Sequence, residues 1–63
     1  MNTLWIARDG NKDLYLFPDK PELDEHDTIY CGQSEWIKIP STMFPEITFD
    51  NSPVEVELTI RKQ

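Results

Sequence analysis

The chain has 63 residues, which is room for one domain, 1–63, and too few to bury a large core without help. Twelve acids against six bases leave a net charge of −6, and the bases Arg8, Lys12, Lys20, Lys38, Arg61 and Lys62 are scattered, which argues against direct binding to a phosphate backbone. Cys31 is the single cysteine, so no internal disulfide can form and a reducing, cytoplasmic setting is expected; no basic segment leads into an apolar run as in a signal peptide, and no apolar stretch nears the ~20 residues of a membrane span.

Residues 4–17, LWIARDGNKDLYLF, predict a β-hairpin. Its alternation is aliphatic against aromatic. Leu4, Ile6, Leu14 and Leu16 share one face, and Trp5, Ala7, Tyr15 and Phe17 share the other. A three-residue loop of Asp9, Gly10 and Asn11, with Asn11 left-handed, sets Ile6 opposite Leu14, Leu4 opposite Leu16 and Trp5 opposite Tyr15. A five-residue loop is the second choice. A two-residue Asp-Gly loop would set Ile6 against Asp13 and mix the faces.

The next stretch, PDKPELDEHD over 18–27, holds two prolines and five acids and is expected to be a loop. TIYC and EWIKI follow around Gly32-Gln33-Ser34 and predict a second hairpin. Ile29 and Cys31 fall on one face and Tyr30 on the other; Ile37 and Ile39 likewise oppose Trp36 and Lys38. Residues 40–53 run irregularly between prolines, with Ser41 placed to cap a single helical turn through Phe44 that Pro45 would stop. The last segment, VEVELTIRK, alternates most clearly: Val54, Val56, Leu58 and Ile60 against Glu55, Glu57, Thr59 and Arg61.

These elements predict an all-β fold: a five-stranded antiparallel meander, strongly curved or closed into a partly open barrel, with at most one short helical turn near 41–44. The aliphatic face is the expected core, with Cys31 buried on it as an inert hydrophobe. Ordering costs ~1.5 kcal/mol per residue, so this face needs a cover. Met43, Phe44, Ile47 and Phe49 are placed to supply one.

The second face collects Trp5, Tyr15, Phe17, Tyr30, Trp36, Lys38, Glu55 and Glu57. As structure, it would stabilise the sheet by cross-strand aromatic pairs worth ~0.2–1 kcal/mol each, with Trp5 and Tyr15 paired and Trp36 beside them. As function, it is a candidate partner-binding surface, with aromatic contact residues and a charged rim.

Residues for chemistry are scarce. Asp9, Asn11 and Asp13 have the spacing of the first ligands of a calcium loop, but Leu14 replaces its glycine and Lys20 its closing glutamate. Asp24, Glu25, His26 and Asp27 read as a solvated acidic loop rather than a metal site. Cys31 and His26 lack any further signature of a nucleophile. No catalytic, cofactor or metal residue is assigned, and the protein reads as a non-enzyme.

The pattern LWIARD, LYLF and KP, then a lone W, FPEI and the EVEL stretch, resembles small uncharacterised proteins encoded by bacteria, their phages and mobile elements. Trp5, Pro21, Trp36, Phe44, Pro45 and residues 55–60 carry that resemblance. It implies a stand-alone cytoplasmic protein and transfers no site. The expected function is a small acidic protein-interaction module with an unknown protein partner or a second copy of itself. The alternatives are a single-stranded nucleic-acid-binding small barrel that stacks bases on Trp5, Tyr15 and Trp36, against which the charge counts, and a structural or self-assembling module.

Overall fold

The computed structural model describes residues 3–57 and 59. It is all-β, with no helix among the described residues. Six strands form: β1 (Thr3–Arg8), β2 (Leu14–Phe17), β3 (Glu22–Asp24), β4 (Ile29–Cys31), β5 (Ile37–Ile39) and β6 (Val54–Glu57). They make two antiparallel sheets, a four-stranded one in the order β5-β2-β1-β6 and a two-stranded one of β3 and β4. The architecture is therefore a pair of open sheets, with one strand more than expected and no closed barrel.

The first hairpin forms with the anticipated faces, but its register is that of the longer loop. Trp5 faces Phe17, Ile6 faces Leu16 and Ala7 faces Tyr15. The turn shows why. Asn11 Oδ1 accepts the Asp13 N–H at 3.1 Å, so Asn11 acts through its side chain. The left-handed position falls instead to Lys12, with φ 79°. Asp9 N–H donates to the Asp13 carbonyl at 2.8 Å, and Lys12 N–H to the Asp9 carbonyl at 2.9 Å. The Trp5–Tyr15 pair is consequently not formed; Tyr15 lies between Ala7 on β1 and Lys38 on β5.

The second predicted hairpin is replaced by two other pairings. The 18–27 stretch contributes β3, which pairs with β4 so that Leu23 faces Tyr30. Asp24 closes that short hairpin, its Oδ1 accepting the N–H groups of His26 at 3.0 Å and Asp27 at 3.4 Å. The acids of this stretch thus build a turn. β5, released from β4, pairs with β2 and sets Leu16 opposite Ile37.

Both faces of the large sheet are covered, which explains why both are apolar. On the aliphatic side Ile47 packs with Ile6 and Leu14, flanked by Leu16, Ile39, Val54 and Val56. On the aromatic side the β3–β4 hairpin lays Tyr30 against Ala7 and Phe17, with Trp5, Tyr15 and Phe49 around them. Full burial of side chains such as Phe17 and Leu14 contributes ~1.5–3 kcal/mol each. Gly32 lets β4 approach this closely: a Cβ there would stand 2.7 Å from the Phe17 ring.

Four further expectations are corrected. Cys31 is exposed. Its parity opposite Tyr30 holds, but β4 lies across the aromatic face, so Tyr30 turns inward and Cys31 outward. Ile37 is 62% exposed, because β5 is an edge strand beyond the cover that Ile47 provides. No helical turn forms at 41–44; Met43 N–H bonds to the Pro40 carbonyl at 3.0 Å and Phe44 turns left-handed at φ 50°. Of the expected plug, Ile47 is buried, Phe49 serves the aromatic side, and Met43 and Phe44 face outward. Leu58, Ile60 and Arg61 lie outside the described residues.

Candidate protein-contact surface

The eight residues of the candidate surface do not form one patch. Phe17 and Tyr30 are core residues, so neither can touch a partner in this fold. Trp5 and Tyr15 are half-buried, and Lys20 Nζ lies 5.5 Å from the Trp5 ring centroid, a cation–π cover. Glu55 and Glu57 are exposed on β6, opposite Trp5 and Thr3. Trp36 is 53% exposed just before β5, and Lys38 is exposed on it. β5 and β6 are the two outer strands of the sheet, three strand spacings or about 14 Å apart. Tyr30 and Phe49 cover the ground between them.

The Trp36 end is the part that remains a surface. Its indole lies against Phe17, with ring centroids 6.2 Å apart and planes tilted by 37°. Beside it Leu4, Leu16, Pro18, Glu35, Trp36 and Ile37 line a groove of about 380 Å³. Lys38 Nζ lies 3.7 Å from an Asp13 carboxylate oxygen. Ser34 Oγ donates to Asp19 Oδ2 at 2.6 Å, so a carboxylate sits two residues before Trp36. Trp36, a candidate contact residue of the sequence, is exposed; Ile37, assigned there to the core, is exposed beside it because the sheet ends at β5.

Two residues that sequence reasoning passed over position everything else. Arg8, at the end of β1, spreads its guanidinium over the carbonyls of the 41–47 segment. Nε donates to Ile47 at 2.6 Å, Nη1 to Ser41 at 3.0 Å and to Lys12 at 2.8 Å, and Nη2 to Met43 at 3.1 Å and Phe44 at 3.2 Å. Asp9 is only 6% exposed, and its Oδ1 accepts the Tyr30 N–H at 2.9 Å. Burial raises the Asp9 carboxyl above the ordinary 3.8; the Tyr30 N–H pulls it down and the nearby Asp13 charge adds to the rise. The Tyr30 hydroxyl, itself raised by burial and by Asp50 and Asp9, donates to the carbonyls of Ser52 at 2.9 Å and Phe49 at 3.2 Å. An arginine beside a turn and an acid within one carry no periodic signal, which is why the pattern alone did not single them out.

Several other polar groups build turns. Asn11 and Asp13 bond to each other, and Asp24 caps its own hairpin. Among the described residues no three His, Cys, Asp or Glu side chains converge as metal ligands would. No family model matches the chain, and neither a curated protein nor a solved structure matches it.

Proposed function

We propose that the protein is a small, acidic, non-enzymatic interaction module that binds another protein at its β5 edge, with Trp36 as the anchor. The observation that carries this reading is the exposure of Trp36 at 53% next to Ile37 at 62% in a chain with so little apolar surface to spare. Tryptophan is among the commonest energetic anchors of protein interfaces. An indole held against Phe17 is already ordered, so less freedom is lost on binding. Lys38 and Glu35 supply a charged rim. The base-stacking alternative requires Trp5, Tyr15 and Trp36 together, and Trp5 lies under Lys20 while Tyr15 is half-buried.

The test compares the parent with Trp36→Ser and Trp5→Ser. Each is immobilised, exposed to lysate of the source cell, and the captured protein is purified and its binding remeasured alone. A partner bound by the parent and by Trp5→Ser but lost by a still-folded Trp36→Ser supports the reading. Equal binding by all three overturns it.

A further inference from the structure

Resting on that interaction reading, we propose that β5 and its groove take an extended segment of a partner protein as a fifth strand of the sheet, a segment that places cationic side chains beside apolar ones. Three independent features converge on this occupant.

The first is the backbone. Among the described residues β5 pairs with β2 and with no other strand. Among the described residues, the main chain of Trp36–Ile39 makes no hydrogen bond outside that ladder. In an antiparallel strand, N–H and C=O groups alternate in direction, so β5 presents a row of them away from β2. An added strand satisfies that row, and this supplies affinity without regard to side chain. β5 is only three residues long and carries Lys38, both features that discourage indiscriminate pairing. Recognition therefore has to come from the side chains beside it.

The second is shape. The groove of Leu4, Leu16, Pro18, Glu35, Trp36 and Ile37 opens on the aliphatic side of the sheet, past the reach of Ile47. Alternate side chains of an added strand point to opposite faces. The cationic set lays its aliphatic stems along this groove with its charges at Glu35, and the apolar set meets the Lys38 side of the strand.

The third is charge. Among the described residues Glu35 is the only ionisable one of the groove lining. Asp19 is held near it through Ser34. Lys38 is already matched by Asp13. Among the described residues neither carboxylate is paired with a cation, and on a chain of net charge −6 the site attracts cations. A lysine or arginine of the partner also fits the exposed indole face of Trp36. A second copy of this chain would bring −6 against −6.

The experiment uses the full chain, isotope-labelled, and three synthetic hexapeptides. One alternates lysine and valine, one alternates glutamate and valine, and one is the lysine peptide with every other backbone nitrogen methylated. Amide and indole resonances are followed during titration. The lysine peptide is expected to shift the Ile37, Lys38 and Ile39 amides and the Trp36 indole and to slow amide exchange in β5, and raising salt weakens it. The methylated peptide is expected to bind at least about tenfold more weakly, as loss of one or two net hydrogen bonds implies. Binding of the glutamate peptide as tightly as the lysine peptide overturns the charge selection. Equal binding of the methylated peptide, or shifts confined to the 22–27 turn, overturns strand addition. So does protection, without peptide, of the β5 amides that point away from β2, at every protein concentration if the chain covers its own edge and rising with concentration if a second copy does. Any of these failures leaves the Trp36-dependent capture of a partner free to succeed, so the two readings are separable.

Discussion

Arg8 and Asp9 are neighbours in the chain and fasten opposite sides of one sheet. The Arg8 guanidinium grips the carbonyls of Ser41, Met43, Phe44 and Ile47 over the aliphatic face. Asp9 holds the Tyr30 N–H over the aromatic face. Two successive side chains of a strand end must point apart, and this protein uses that geometry to hold both covers from a single place. Gly10 extends the second attachment, its N–H donating to the Thr28 carbonyl at 2.8 Å.

Asp9 is an acceptor in a place that disfavours its charge. Asp9→Ala leaves the buried Tyr30 N–H unpaired and is expected to cost about 1–3 kcal/mol in urea unfolding. Asp9→Asn keeps an acceptor oxygen and is expected to fold. The pH dependence separates them. Because the native carboxyl titrates above its ordinary 3.8, the folded state binds more protons than the unfolded one between the two values. The Asp9 contribution is therefore fullest below 3.8 and declines as pH rises through the raised native value. Stability of Asp9→Asn relative to the parent is expected to increase from acid to neutral pH; a flat difference would contradict the raised carboxyl.

Arg8 acts through the fork of its guanidinium, which one ammonium cannot reproduce. Arg8→Lys is expected to lose about 1.5–3 kcal/mol, the range for hydrogen bonds to a charged group. The loss has an address. Ile47 N–H bonds to the Phe44 carbonyl at 2.9 Å, inside the segment that Arg8 holds. Its hydrogen exchange should accelerate more than that of Tyr30, which the other face retains.

Gly10 and Thr28 form a steric pair. A Cβ on Gly10 would lie 2.6 Å from Thr28 Oγ1 and 2.9 Å from its Cβ. Gly10 itself has no positive φ, so the obstacle is contact and not backbone. Thr28 does have one, φ 54°, where glycine is at ease. Gly10→Ala alone is expected to destabilise by about 1–3 kcal/mol. In a Thr28→Gly background the same change should cost less, with a coupling of about 0.5–3 kcal/mol in the double-mutant cycle. Additivity of the two would show that the clash is relieved elsewhere.

Cys31 faces water, and the folded protein should react with a bulky maleimide at nearly the rate of the unfolded chain. Cys31→Ser is expected to change stability by no more than about 0.5 kcal/mol, as for other surface positions. Slow labelling of the native thiol would place Cys31 back under cover.

Alternation was enough to find the faces of β1, β2 and β6 and to place Ile6, Leu14 and Val56 on one side and Ala7 and Phe17 on the other. It could not say which strands pair. Tyr30 and Cys31 show the limit: parity puts them on opposite faces, but only the docking of β4 across the sheet decides which of the two is inside. The same gap hid β3, because Glu22 and Asp24 both look solvated, though only Glu22 is exposed and Asp24 is half-buried, and the backbone between them still pairs. Trp36 was legible as a candidate for exposure, and it is 53% exposed. Ile37 was not, because exposure at a sheet edge depends on strand order and leaves no mark in local sequence.

Fastening both covers at one turn also orders the events of folding. The contacts of Arg8 and Asp9 span sequence separations of 39 residues to Ile47, 44 to Ser52 and 21 to Tyr30. Each closes a long loop, and none is productive until the 9–13 turn has set the two side chains apart. The β1–β2 and β3–β4 hairpins, with local contacts only, are the elements able to form first. Substitutions at Asn11 or Asp13 are expected to slow refolding in proportion to the stability they remove, whereas Tyr30→Phe, which loses the bonds to Phe49 and Ser52, should chiefly hasten unfolding. The last parts to close are then the two covers, and they are the first to open.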